Sequence, residues 1–149
     1  MKSTKLPSPD RTMTLHVRDT CLCLHTQRAA RLLARRFDAA LKPAGLTNGQ
    51  FSMLMSMNRP GPVRMREVAV LLGMDRTTVT AGLKTLEKRG LATAAADPDD
   101  RRGRVVALTD AGRERLALAL PIWIEEHGAL ERGMDDPAAL RAGLVELST

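Results

Sequence analysis

The feature that most limits what this chain can become is a change of hydrophobic period at Gly90. From Asp75 to Arg89 apolar residues recur at helical spacing, with Asp75 suited to cap the start and Gly90 to close the end. Beyond Gly90, Leu91-Ala92-Thr93-Ala94 and Val105-Val106-Ala107-Leu108 read as two short strands. Residues 96–103 between them, Ala-Asp-Pro-Asp-Asp-Arg-Arg-Gly, form a charged, turn-rich loop suited to a hairpin tip. A short helix from Met65 to Leu72 precedes this block, and Gly73 supplies the turn.

Short helix, turn, second helix and basic hairpin make the winged helix-turn-helix order. Such an architecture needs a helix narrow enough for the major groove, held by a partner helix lying across it. Helical phasing of residues 75–89 puts Val79, Leu83 and Leu86 on an inner face. Thr77, Ala81, Lys84 and Lys88 lie about 180° away by the same phasing, flanked by Thr80 and Thr85. Hydroxyls and ammonium groups with no large apolar side chain suit a groove, although an isolated face of this kind could equally be solvated. Arg101, Arg102 and Arg104 on the Gly-containing hairpin shift the balance, because a wing reaches phosphates or a narrow minor groove with such side chains.

The flanks have helical patterning. Leu15, Leu22, Ala29, Leu33 and Ala40 form one stripe of a single long helix expected from Leu15 to Lys42, with Arg28, Arg31 and Arg35 opposite and Pro43 and Gly45 ending it. Thr47 and Gln50 have capping-box spacing for a helix through Asn58, broken by Arg59-Pro60-Gly61-Pro62. Thr109 opens a helix with Leu116, Leu120, Trp123, Ile124 and His127 on its apolar side and Pro121 as an expected kink. A last helix is expected from Pro137 to Leu147. The division expected is a loose, flexible arm over 1–12 and one domain over 13–149. In it, residues 46–109 form a DNA-binding lobe, and 13–45 and 110–149 supply dimerisation helices. The fold class is mainly α with a small β-wing.

Charge supports that division. Residues 1–109 carry 19 Lys/Arg against 9 Asp/Glu, while residues 110–149 carry 4 against 8. A basic front with an acidic tail fits a chain that holds a polyanion with one part and itself with another. Membrane adsorption is the weaker reading, since no segment joins a basic face to exposed aromatics, and no apolar run approaches the ~18 residues of a span. Cys21 and Cys23 are the only cysteines, too few for a disulfide framework, which points to a reducing, cytoplasmic setting.

The sequence also resembles the MarR-type regulators from about Cys21 to His127. The segments that carry the likeness are Leu71-Leu72-Gly73-Met74-Asp75-Arg76-Thr77-Thr78-Val79-Thr80, Leu86-Glu87-Lys88-Arg89-Gly90-Leu91, Asp100-Arg101-Arg102 and Val106-Ala107-Leu108-Thr109-Asp110-Ala111-Gly112. The resemblance implies a homodimer joined through its first and last helices, and a pseudo-palindromic duplex DNA operator. It places Arg102 in the minor groove and makes Asp100 the brace of the wing. Many members carry Arg directly after the position of Thr80, where this chain has Ala81, so a bidentate guanine contact is missing there. Base reading then falls on Arg76, Thr77, Thr78 and Lys84. The implied mechanism is repression by promoter occupancy, relieved by a small-molecule effector bound between the long first helix and the DNA lobe. An apolar molecule with an acidic group fits the arginines beside Met and Leu.

Other constellations weigh less. Cys21-x-Cys23-x-His25 looks like a metal site, but on one continuous helix Cys23 points about 160° from Cys21, so no metal or other cofactor is expected. The same spacing disfavours an internal disulfide. Cys21 and Cys23 are candidate redox sensors, with apolar filler as the alternative, and the absence of Tyr removes a common helper of a peroxidatic thiol. Met53 and Met57 read as core. His16, His25 and His127 are scattered, and nothing suggests an enzyme. A winged helix that binds only protein, or one that binds RNA, lacks respectively a need for the basic wing and the stacking aromatics.

Overall fold

The structure, a computed structural model, describes residues 9–148; residues 1–8, most of the expected arm, lie outside them. The chain divides into two compact units, residues up to Arg35 and residues from Arg36, each described by itself.

In the first unit α1 (Arg11–Thr20) starts at Asp10, whose carboxylate accepts the Met13 N–H at 2.8 Å. Residues 11 and 12, expected in the arm, are therefore helical. The single long helix expected from Leu15 to Lys42 is in fact two. Cys21 leaves the helical region with ψ 106°, and α2 (Leu22–Leu41) starts after it, running on into the second unit. The Cys21 Sγ takes the Leu24 N–H at 3.4 Å, standing where an N-cap oxygen would. No Gly or Pro marks this break. Leu22, Leu24, Leu32 and Leu33 are exposed, and α1 buries no residue.

The second unit contains the core. Phe37 and Leu41 at the end of α2 are buried, and a 3-10 turn (Lys42–Ala44) reverses the chain at Gly45, whose φ of +66° favours glycine. Helix α3 (Asn48–Ser56) opens with the expected capping box: Thr47 accepts from Gln50 N, and the Gln50 side chain accepts from Thr47 N. Then come a two-residue strand β1 (Val63–Arg64), α4 (Met65–Leu72), α5 (Arg76–Lys88), β2 (Ala92–Asp97), β3 (Asp100–Leu108), α6 (Asp110–Arg132) and α7 (Pro137–Glu146). The antiparallel sheet has the order β1-β3-β2, with Val63 opposite Val106 and Ala94 opposite Val106 on the other side. Strand β1 was not expected, because two residues show no alternation. The hairpin strands run longer than the sequence suggested, and only Pro98 and Asp99 are left as the turn.

Met53, Leu54, Met57, Val68, Val79, Leu83, Leu86, Val106 and Leu116 share one buried cluster, so Met53 and Met57 are core. Two glycines permit the tightest approaches. A Cβ on Gly82 would lie 2.6 Å from Met53 Cε, and one on Gly112 would collide with the carbonyl oxygen of Leu91. Thr109 sets the latter contact. Its hydroxyl donates to Gly90 O at 2.6 Å and accepts Gly112 N at 3.0 Å, while its own N–H reaches Leu91 O. Helix α6 continues through Pro121. Its apolar side is only partly covered: Leu116 and Ala119 are buried, while Leu120 and Ile124 are exposed.

Candidate nucleic-acid interface

The surface in question is built on α5, and α5 is placed by its ends. Asp75 accepts both the N–H of Thr78 (2.8 Å) and its hydroxyl (2.9 Å). These two hydrogen bonds from Thr78 hold the Asp75 carboxyl below its ordinary value. At the far end Arg89 donates to Gln50 Oε1 (3.1 Å) and Gly45 O (2.7 Å), fastening α5 to the start of α3. With Val79, Leu83 and Leu86 turned into the core, the opposite face is fixed outward.

On that face Thr77, Lys84 and Lys88 are exposed. Thr78 spends its hydroxyl proton on Asp75, and the half-buried Thr80 donates to Arg76 O at 2.8 Å. Both oxygens keep acceptor capacity, but their donor protons serve the helix. The wing adds Arg101, Arg102 and Arg104, all exposed. Among the described residues the side chains of Lys84, Lys88, Arg101, Arg102 and Arg104 have no hydrogen-bonding or ion-pair partner. By contrast Arg36, Arg59, Arg64 and Arg141 all pair with carboxylates.

Helix and wing are joined. Arg76 Nη2 donates to Arg102 O at 3.3 Å, and the Asp100 carboxylate accepts the Arg102 N–H at 3.0 Å. The backbone of Arg102 is thus held from both sides. Arg76, Asp100, Arg102 and Arg104 line one hollow of about 350 Å³ together with Val70 and Val79; Lys84 and Lys88 lie outside it.

Three wing-supporting residues escaped the sequence reading: Arg64, Asp97 and Asp99. Arg64 Nε donates to Asp97 Oδ2 at 2.9 Å and Nη2 to Asp99 Oδ2 at 3.0 Å. Asp97 is buried and also accepts the Asp99 N–H at 2.9 Å. That backbone hydrogen bond, with the charge of Arg64, holds its carboxyl below the usual range. The Asp-Pro-Asp run could have signalled an Asx turn, but nothing local pointed to a partner 33 residues away. Cys21, half-buried, and Cys23, exposed, carry free thiols and belong to the first unit.

Comparison with known proteins agrees with this geometry. The model of the MarR family matches residues 44–103. The Bacillus subtilis HTH-type regulator YwoH is 33% identical over 82 residues, 55% of this chain and 59% of that protein, so the chain spans about three fifths of that relative. The Mycobacterium tuberculosis transcriptional regulator MosR, solved in complex with DNA, superposes with a TM-score of 0.79 at 35% identity, over 86% of this chain and 93% of that one. CouR from Rhodococcus jostii RHA1, solved with p-coumaroyl-CoA, gives a TM-score of 0.73 at 26% identity over 87% and 93%. With a two-helix unit and wing in the order the family uses, and likenesses that run over most of the chain, this protein belongs to the MarR family.

Proposed function

We propose that this protein is a DNA-binding transcription regulator that represses by occupying a pseudo-palindromic operator as a homodimer. The observation that carries the reading is the set of exposed cations whose side chains have no carboxylate partner, Lys84 and Lys88 on the outward face of α5 and Arg101, Arg102 and Arg104 on the wing that Arg76 joins to α5. Cations left free of carboxylates are available to phosphates, and a helix beside a wing matches a major groove flanked by a minor one. The DNA complex of MosR supports the same assignment. Residues 46–109 are the DNA-binding lobe, with Arg76, Thr77, Thr78, Thr80, Lys84 and Lys88 facing the major groove and Asp100 bracing Arg102. Residues 13–45 and 110–149 supply the dimer contacts. The protein acts in the cytoplasm, as a regulator and not an enzyme.

The test is operator binding by two variants. Arg102→Ala should weaken binding roughly tenfold to hundredfold with the melting temperature unchanged. Lys84→Ala should lose a similar amount on the operator alone if it reads a base edge. If it holds phosphate, the loss should be uniform across sequences with a shallower salt slope. Unchanged operator affinity in both variants would sink the reading.

Release is assigned to a small apolar molecule with an acidic group. Within the second unit Phe51, Met55, Leu71, Leu120 and Trp123 line an apolar hollow of about 360 Å³, edged by Ser52 and Ser56; with no cation in its lining it suits the apolar part of such a molecule. A ligand there acts only through unequal affinity for the DNA-competent and incompetent states. One observation favours a second reading, thiol oxidation. The break at Cys21 removes the continuous helix on which the opposed directions of Cys21 and Cys23 rested. A Cys21→Ser/Cys23→Ser variant separates the two. Aromatic acids should still release it from DNA; loss of a peroxide response that the native protein shows at low peroxide would establish the thiols as the sensor.

A further inference from the structure

The wing turn contains a chemical contradiction. Asp97, Asp99 and Asp100 crowd three carboxylates beside the arginines that are to meet phosphate. Two of the three are met from behind by a single side chain. Arg64 forks onto Asp97 at 2.9 Å and Asp99 at 3.0 Å, and the Asp97 side chain is only 4% exposed. The backbone of Arg64 is fixed independently of that fork. It pairs with Val105 of β3, and its N–H donates to Glu67 Oε2 (3.3 Å) as α4 begins. Glu67 is itself paired with Arg59 at 2.7 Å. The hairpin register shifts between Ala96 and Asp97, so Asp97 stands opposite Asp100. Asp97 is thus the point where the wing departs from regular pairing, and Arg64 grips it there.

We propose that Arg64 and Asp97 are a positioning pair that sets the wing turn so that Arg102 meets DNA. Neither touches the nucleic acid. The pair acts through Asp100 and the backbone of Arg102, which Arg76 holds from the recognition helix. A guanidinium is the group suited to this place, because Nε and Nη2, fixed in one plane, reach Asp97 and Asp99 from set directions, a geometry that the point charge of an ammonium on a flexible stem does not reproduce. The arrangement ties wing geometry to the N-cap of α4, so that helix-turn-helix and wing are presented as one surface.

The inference rests on the wing reading above, and a double-mutant cycle separates the two. Operator affinity is measured for Arg64→Gln, Arg102→Ala and the pair, at one salt concentration, with thermal melting of each. Arg64→Gln should lose about tenfold in affinity. In the Arg102→Ala background the same substitution should change affinity less than twofold, because the residue it positions is gone. Asp97→Asn, which keeps an oxygen for the Asp99 N–H, should reproduce both results from the other side of the pair and covers the case in which Arg64→Gln folds poorly. Arg64→Lys should resemble Arg64→Gln, since the fork and not the charge is needed. Full additivity of the Arg64 and Arg102 losses, native affinity in Arg64→Gln and Asp97→Asn, or full rescue by Lys would overturn the pairing role. Native affinity in Arg102→Ala would instead overturn the wing reading beneath it.

Discussion

Helices α5 and α7 start alike and end in different circumstances. Each opens on an aspartate whose carboxylate accepts an N–H one turn in, Asp75 from Thr78 at 2.8 Å and Asp136 from Ala139 at 2.9 Å. Beyond the cap, α5 buries Val79, Leu83 and Leu86, and its outward face is polar. Helix α7 buries nothing: Leu140, Leu144 and Val145 are 51%, 42% and 64% exposed. A ten-residue helix is marginal in water by itself. The ion pair of Arg141 with Glu131 of α6 is exposed enough to contribute under about 1 kcal/mol. The difference separates a helix whose inner face is buried within its own chain from one whose apolar side is left uncovered among the described residues. In the reading proposed here the missing partner of α7 is a second copy, and that of α5 is DNA.

The strongest way to break this comparison is to remove the incomplete helix. Deleting residues 134–149 should convert the proposed dimer to monomers or aggregates in sedimentation. Operator affinity should fall roughly a hundredfold or more, because half-sites about one DNA turn apart need two linked recognition helices. A truncated chain that stays monomeric and binds the operator tightly would show that the exposed face of α7 serves something else.

A smaller but sharp effect is expected where packing is complete. Gly112, in the first turn of α6, has the Leu91 carbonyl oxygen in the space its Cβ would need, and backbone cannot swing aside as the end of a Met side chain can. Gly112→Ala should destabilise by roughly 3 kcal/mol, toward the upper part of the range for overpacking. That corresponds to a melting temperature lower by roughly 10 °C. Gly82→Ala meets only the mobile terminus of Met53 and should be milder. Equal losses at the two positions would mean that the α6 junction is less constrained than its geometry indicates.

The same contrast explains what could be read from sequence. Helix α5 was legible to within a residue because Asp75, the 3.6 spacing of Val79, Leu83 and Leu86, and Gly90 all agree. The break at Cys21 was not, since residues 15–42 contain no Gly or Pro and keep a helical stripe on both sides of it. Leu120 and Ile124 share a helical face with Leu116, but periodicity does not say whether a face is covered by the same chain. The outward residues Thr77, Lys84 and Lys88 followed from phase alone. Arg64 did not, because its partners lie 33 and 35 residues away and no pattern connects them.

The smallest expected effect concerns the cap of α5. Asp75 takes both the N–H and the hydroxyl of Thr78, and these hydrogen bonds hold its folded-state carboxyl below the ordinary value near 4. A carboxyl whose pKa is depressed by folding adds stability that is fully present above the unfolded pKa and is lost as pH falls through the folded one. Stability of the native protein should therefore decline from about pH 4 downward in part because of Asp75. Asp75→Asn keeps an oxygen for the Thr78 N–H but has no carboxylate to protonate. It should be slightly less stable than the native chain at neutral pH, and the gap should close as pH falls below about 4. Urea melts of both proteins across pH 2.5 to 7 give the measurement. A gap that stays constant over that range would show that the charge of Asp75 contributes nothing, leaving α5 capped by geometry alone.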